Sequence, residues 1–305
     1  MTVSLFSFIP PEKISIPTLN DHRSDFDYLF SLSKKYMDYS GSIIFTFDHC
    51  SFIRHNAVAV LGGLVTHIKK NGGHVELNIS SMKGNVHANL AQNGFLSFCG
   101  YDEPKWQGNA VSIQHFEETD QDAIIHYLYE EWLRRSWLSI SPRLLDEIVG
   151  AVWEIFTNAF EHSETQYGVF TCGQKYPTLN QLNLTLVDFG IGIPANVLRY
   201  AKQKRRDPDS ITSDKALQWA FTKGSSTKKG KKNAGVGLDL LKEFIRLNKG
   251  TLEFYSNDGY VFIGNDKEIY KSGLPEVEGT VINLMFRCDE KYYHFSDETI
   301  DDIWA

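Results

Sequence analysis

Apolar positions along the chain fall into short runs whose spacing switches between that of a strand and that of a helix. Ser42-Ile-Ile-Phe-Thr-Phe47 is an apolar, β-branched and aromatic run ending at Asp48, the pattern of a buried strand. From Ile53 to Lys70, the residues Ala57, Val58, Leu61, Leu64, Val65 and Ile68 recur at helical spacing, and Asn71-Gly72-Gly73 supplies a stop. His74-Val-Glu-Leu-Asn-Ile79 then reads as another strand. Strand, helix and strand with short joints form a βαβ unit, with parallel strands and a right-handed crossover. Met1 to Pro10 is expected to be a first strand or strand-like arm, and Asn85 to Gln92 a short helix followed by turns at Asn93-Gly94 and Gly100.

Residues from about Trp106 to Trp137 are polar and aromatic, with a helical stretch from Asp120 to Arg135, and are expected to connect two domains. Ser141-Pro142 is a helix-start pair. In the helix that follows, Leu145, Ile148, Val149, Val152, Ile155, Phe156 and Ala159 share one broad arc, and Glu154, Asn158 and His162 form a separate polar line. A strand near Val169 precedes Leu182-Asn-Leu-Thr-Leu-Val187, where leucines at every second position lead to Asp188 at the strand end. Further helices are expected near Asp214 to Thr222 and Gly237 to Leu247. Strands are expected near Thr251 to Tyr255, Tyr260 to Ile263 and Thr280 to Phe286. This half is expected to be an α/β sandwich of antiparallel strands on helices.

Composition narrows the picture only slightly. A chain of 305 residues is about twice a common domain length. With 42% hydrophobic and 23% charged residues and no long apolar run, it is not expected to cross a membrane. The start of the chain lacks the basic segment and small-residue cleavage site of a secretory signal, so a cytoplasmic location is expected. The cysteines Cys50, Cys99, Cys172 and Cys288 are scattered, which suggests neither a zinc site nor a disulfide framework. A net charge of −7 argues against nucleic-acid binding over the whole surface. The one local basic run is Lys223-Gly-Ser-Ser-Thr-Lys-Lys-Gly-Lys-Lys232.

Three segments carry candidate chemistry. In Glu154-Ile-Phe-Thr-Asn-Ala-Phe-Glu-His162, a carboxylate and a carboxamide one turn apart can serve one site, the first accepting a proton from water and the second ligating Mg²⁺ through oxygen. In Asp188-Phe-Gly-Ile-Gly-Ile-Pro194, a carboxylate at a strand end precedes glycines that let a ligand approach, and it can accept a hydrogen bond from an exocyclic amine. In Asn233-Ala-Gly-Val-Gly-Leu-Asp239, glycines open a helix whose free N–H groups suit a phosphate. Each segment alone is equally a solvated polar face, a strand-end turn or a helix start. The lysine-rich run is suited to closing over polyphosphate and is equally a solvated charge run.

In order and spacing, these segments resemble the nucleotide-binding fold shared by gyrase B subunits, heat-shock chaperones, histidine kinases and MutL-type repair proteins, the GHKL class. The resemblance covers roughly Leu144 to Phe286, with Gly279-Thr280 as the late Gly-Thr of the family pattern. It implies ATP and Mg²⁺ as ligands: Asn158 on the metal, Asp188 on the adenine amine, and Gly190, Gly192 and Ile193 shaping the purine pocket. It also implies Gly235, Val236, Gly237 and Leu238 at the phosphates, Thr280 supporting the adenine contact, and a lid over about Pro194 to Ala234 that includes Lys223. Glu154 matches the general base of the family's hydrolases, and His162 lies one turn beyond Asn158, as a phosphate neighbour or as a helix-end cap.

Ser42 to Ile79 is similar to a STAS domain, the fold of anti-sigma-factor antagonists, especially from Phe47 to Gly62. Where that family usually reads Asp-Ser-Ser-Gly, this chain has Arg54-His55-Asn56-Ala57, with no hydroxyl to phosphorylate, which favours a docking or regulatory role. The expected organisation is therefore α/β throughout: a STAS-like domain over 1–105, a helical connection over 106–138, a GHKL-type sandwich over 139–290 and an acidic tail over 291–305. The stretch around His126 offers no two-helix hairpin with a phosphoacceptor histidine, which sets the sensor-kinase subclass aside. Three functions fit: a nucleotide-gated switch with slow hydrolysis, an anti-sigma-type serine kinase acting on a separate protein, or a binding module without catalysis. A protein partner is expected, and relatives of this class commonly form homodimers.

Overall fold

The computed structural model describes residues 10–104, 106, 108–133, 135–204, 207, 210–222, 236–264 and 266–299. The expected N-terminal arm thus lies almost wholly outside the described residues, as do Lys223 and Gly235.

The first part of the chain runs β1 (Glu12–Ser15), α1 (Arg23–Tyr36), β2 (Ser42–Thr46), α2 (His55–Lys70), β3 (His74–Leu77), α3 (Gly84–Gln92) and α4 (Phe95–Cys99). Strands β1, β2 and β3 form a parallel sheet in that order, so the expected βαβ unit is present and gains a third strand. Asn71 and Gly72 close α2, Gly72 at φ +85°, where a side chain would be strained.

The remainder runs β4 (Ala110–Phe116), α5 (Gln121–His126), a π-helical segment (Tyr127–Leu133), α6 (Pro142–His162), β5 (Val169–Tyr176), β6 (Gln181–Asp188), α7 (Ile193–Gln203) and α8 (Ser213–Ala220). It continues through α9 (Val236–Asn248), β7 (Thr251–Asn257), β8 (Gly259–Gly264), β9 (Lys267–Lys271) and β10 (Val277–Arg287). These strands make a seven-stranded antiparallel sheet in the order β4-β5-β6-β10-β7-β8-β9. The segment expected as a connection supplies the edge strand β4 and the fully buried Trp132, whose ring stacks on Phe286 at 5.2 Å. The region near the C-terminus also docks: Ser141 N–H donates to the Tyr293 carbonyl, and the Ser141 hydroxyl donates to Glu298.

Alternation along the central strands sorts their side chains onto two faces. Leu182, Leu184 and Leu186 of β6, with Ile282 and Leu284 of β10, share a core with the inner side of α6 and with Leu241, Phe244 and Ile245 of α9. Val187 and Val281, one position out of phase, point the other way into a core shared with α1, α2 and the three-stranded sheet. Every residue of α2 from His55 to Ile68 is buried, because β3 covers one side and β5 and β6 cover another. This burial extends to its polar residues His55, Asn56, Thr66 and His67.

Candidate functional site

Helix α6 begins where the sequence predicts, the Ser141 hydroxyl accepting from the Leu144 N–H. Its buried arc leaves Glu154, Asn158 and His162 along the wall of a cavity of about 200 Å³, with Asn158 exposed and the other two half-buried. Opposite, the same alternation that buries the leucines of β6 delivers Asp188 onto the cavity floor, facing its cross-strand partner Thr280. Both are 4% exposed. Gly192, Ile193 and Leu238 complete the predicted set on the wall.

Asp188 is electrostatically unusual. Burial pushes its carboxyl from 3.8 up to about 7, against hydrogen bonds from the Gly190 N–H, Ser163 and Thr280 that favour the charged form. Such a desolvated acceptor, poised near neutrality, gains most from a ligand N–H donor.

The loop after Asp188 has no slack. Gly190 stands behind the wall, with a Cβ there meeting the Ser163 carbonyl oxygen at 2.0 Å, while the Ile191 N–H donates to that same oxygen at 2.6 Å. Gly192 has φ +79°, and a Cβ would meet Asn257 Oδ1 at 2.5 Å. Asn257 Nδ2 donates to the Ile191 carbonyl at 3.0 Å, and its Oδ1 accepts from Ala195 N–H at 3.2 Å. The Ile193 N–H donates to Ser256 Oγ at 2.8 Å, and Ser256 lies 3.0 Å from Thr280 Oγ1. Asn196 Nδ2 donates to the His162 carbonyl at 3.0 Å, joining α7 to the end of α6. Sequence reasoning missed Ser163, Asn196, Ser256 and Asn257; the turn-forming run Asn257-Asp258-Gly259 was the only local signal.

Gly237 lies where α9 crosses α6. A Cβ there would meet Glu154 Oε2 at 2.6 Å and Ala151 Cα at 3.0 Å, and the Gly237 N–H donates to Glu154 Oε2 at 3.2 Å. Val236 is the first residue of α9. Of the expected lid, residues 194–203 lie in α7 and 213–220 form α8, the two helices held together by Tyr200 stacked on Trp219 at 5.7 Å. Asn196, Val197, Trp219, Ala220 and Phe221 line the cavity. This part of the expected lid is helical and lines the cavity, with α7 starting on the Asn257 anchor.

The cavity thus pairs an apolar, glycine-shaped floor bearing one buried carboxylate with an oxygen-rich helix face and a helix N-terminus. Among the described residues, no group of three His, Cys, Asp or Glu is placed to hold a metal. No helix among them is long and apolar enough to cross a membrane. No curated protein matches the chain. Residues 145–283 match the family model of histidine kinase-, DNA gyrase B- and HSP90-like ATPases, so this stretch, which holds every cavity residue named above, carries a GHKL-type ATP-binding domain.

Proposed function

We propose that the chain binds Mg²⁺-ATP and acts as a nucleotide-gated regulatory switch reset by slow hydrolysis. The observation that carries this reading is Asp188, buried beside Thr280 at the cavity floor and matched to the exocyclic amine of adenine. The Glu154 carboxylate and the Asn158 amide offer oxygen atoms from one face of α6. The Asn158 oxygen suits Mg²⁺, which takes few protein ligands and fills its shell with phosphate and water. When bound, the metal would neutralise polyphosphate charge. Asn158 would hold it, Asp188 would orient the base, and Glu154 would take the proton from an attacking water. Regulation is supported by the packing of α2 directly against β6, the strand that ends in Asp188, and its neighbour β5. The STAS-like reading of residues 1–105 is part of this proposal and gives α2 a docking or regulatory role.

Calorimetric titration with ATP, with and without Mg²⁺, tests the site: Asp188→Ala should abolish binding, and unchanged affinity would refute the assignment. Incubation with γ-labelled ATP separates the outcomes. Free phosphate supports hydrolysis, label retained on a partner protein supports a kinase instead, and binding without turnover supports a module lacking catalysis.

A further inference from the structure

Phe189, next to Asp188, projects to the opposite side of the sheet edge and enters the core around α2. Its ring fills the space above Gly63 of α2, where a Cβ would stand 1.9 Å from Cε2 and 2.6 Å from Cζ. His67, one turn on, meets the ring edge-on at 4.8 Å between centroids, and Tyr167 packs edge-on against His67 at 4.4 Å. The imidazole is fixed in turn: Nδ1 donates to the Gly63 carbonyl at 2.8 Å, and burial holds its pKa below the ordinary histidine value, keeping it neutral. Phe170 of β5 closes the seat at 6.0 Å.

We propose that Phe189 is a positioning residue through which α2 sets the base-reading geometry of Asp188. This deepens the nucleotide-binding reading above and rests on it. The mechanical argument is short. Gly279 stands against the backbone of this strand end, where its Cβ would lie 2.0 Å from the Asp188 carbonyl oxygen, and Gly190 is pressed on Ser163. With both flanks of the loop blocked, a displacement of the Phe189 ring cannot be absorbed locally and turns the Asp188 carboxylate. Close-packed interiors transmit strain of this kind. The seat at Gly63 admits no methyl group, so α2 must stay in register with the loop for the ring to fit.

The test is a volume exchange in the full chain, read as the ratio of ATP to GTP affinity. GTP lacks the exocyclic amine at the same ring position but shares the polyphosphate, so this ratio isolates the contact to Asp188. Gly63→Ala crowds the ring and Phe189→Leu leaves a void. Each alone is expected to lower the ratio about tenfold, the scale of one charge-assisted hydrogen bond. The double variant, which conserves volume, is expected to restore it to within about threefold of wild type. A folded Gly63→Ala chain with the wild-type ratio would overturn the proposal, as would equal losses for ATP and GTP or a double variant worse than either single one. If Gly63→Ala does not fold, the double variant and Phe189→Leu carry the same comparison. A wild-type chain that binds ATP and GTP equally instead removes the adenine reading of Asp188 itself.

Discussion

The Gly237 N–H donates to Glu154 Oε2 at 3.2 Å, so the first turn of α9 holds a negative charge. Helix N-termini favour anions, and a polyphosphate arriving there meets a resident competitor. Replacing that carboxylate with an amide keeps an acceptor but removes the charge. Glu154→Gln should therefore bind ATP at least as tightly as wild type, while phosphate release falls by about 100-fold or more, the scale of lost base catalysis. Calorimetry and single-turnover phosphate release measure the two effects separately. Turnover within a few-fold of wild type would remove Glu154 from the base role.

With Asp188 as the base-reading group, ATP binding should depend on pH. Its carboxyl titrates at about 7 in the free protein, and an amine donor favours the ionised form. Affinity should be level above pH 8 and fall by about tenfold per unit below pH 7.

The same shift has a stability consequence with a defined sign. The folded state binds the Asp188 proton more tightly than the unfolded chain, so this carboxyl's contribution is fully present below about pH 4 and is lost as pH rises through about 7. Asp188→Asn should stabilise the free protein at pH 8 by up to about 4 kcal/mol, three units at 1.36 kcal/mol each, with a gain that vanishes near pH 4. Denaturant titration at the two pH values checks the trend, and a pH-independent difference would contradict it.

Asn158 is exposed on the cavity wall, so its loss should spare the fold. Asn158→Ala is expected to lower ATP affinity about tenfold with Mg²⁺ and to match wild type in EDTA. Equal losses under both conditions would assign Asn158 to the nucleotide rather than the metal.

Trp132 tests where the nucleotide-binding body begins. Its ring is fully buried on Phe286, so Trp132→Ala should cost about 3–5 kcal/mol of stability. Trp106, 44% exposed, should tolerate alanine within about 0.5 kcal/mol. Similar effects at the two positions would mean that Trp132 is not part of a packed core.

Much of the site was legible because its signals are local. Alternating leucines placed Asp188 at a strand end, a capped amphipathic helix set Glu154, Asn158 and His162 in a row, and the glycine run marked the start of α9. What was missed depends on partners far away in sequence. Strand β4 borrows its order from β5, more than fifty residues later, and so looked like a polar connection. β9 is an edge strand with mostly exposed side chains, and it lacks the alternation that half-burial imposes. The start of α7 was not legible because its anchor, Asn257, lies beyond α9. The apolar spacing of α2 gave its helical state but not its second wall, since His67 and Thr66 are polar and yet buried.

That second wall governs how the molecule can be cut. A fragment beginning near residue 105 would keep the whole nucleotide cavity but leave Phe170, Val187 and Val281 wet, a continuous oily surface on the reverse of the sheet. Such a fragment would be prone to self-association, and any loss of nucleotide binding in it would reflect the missing cover.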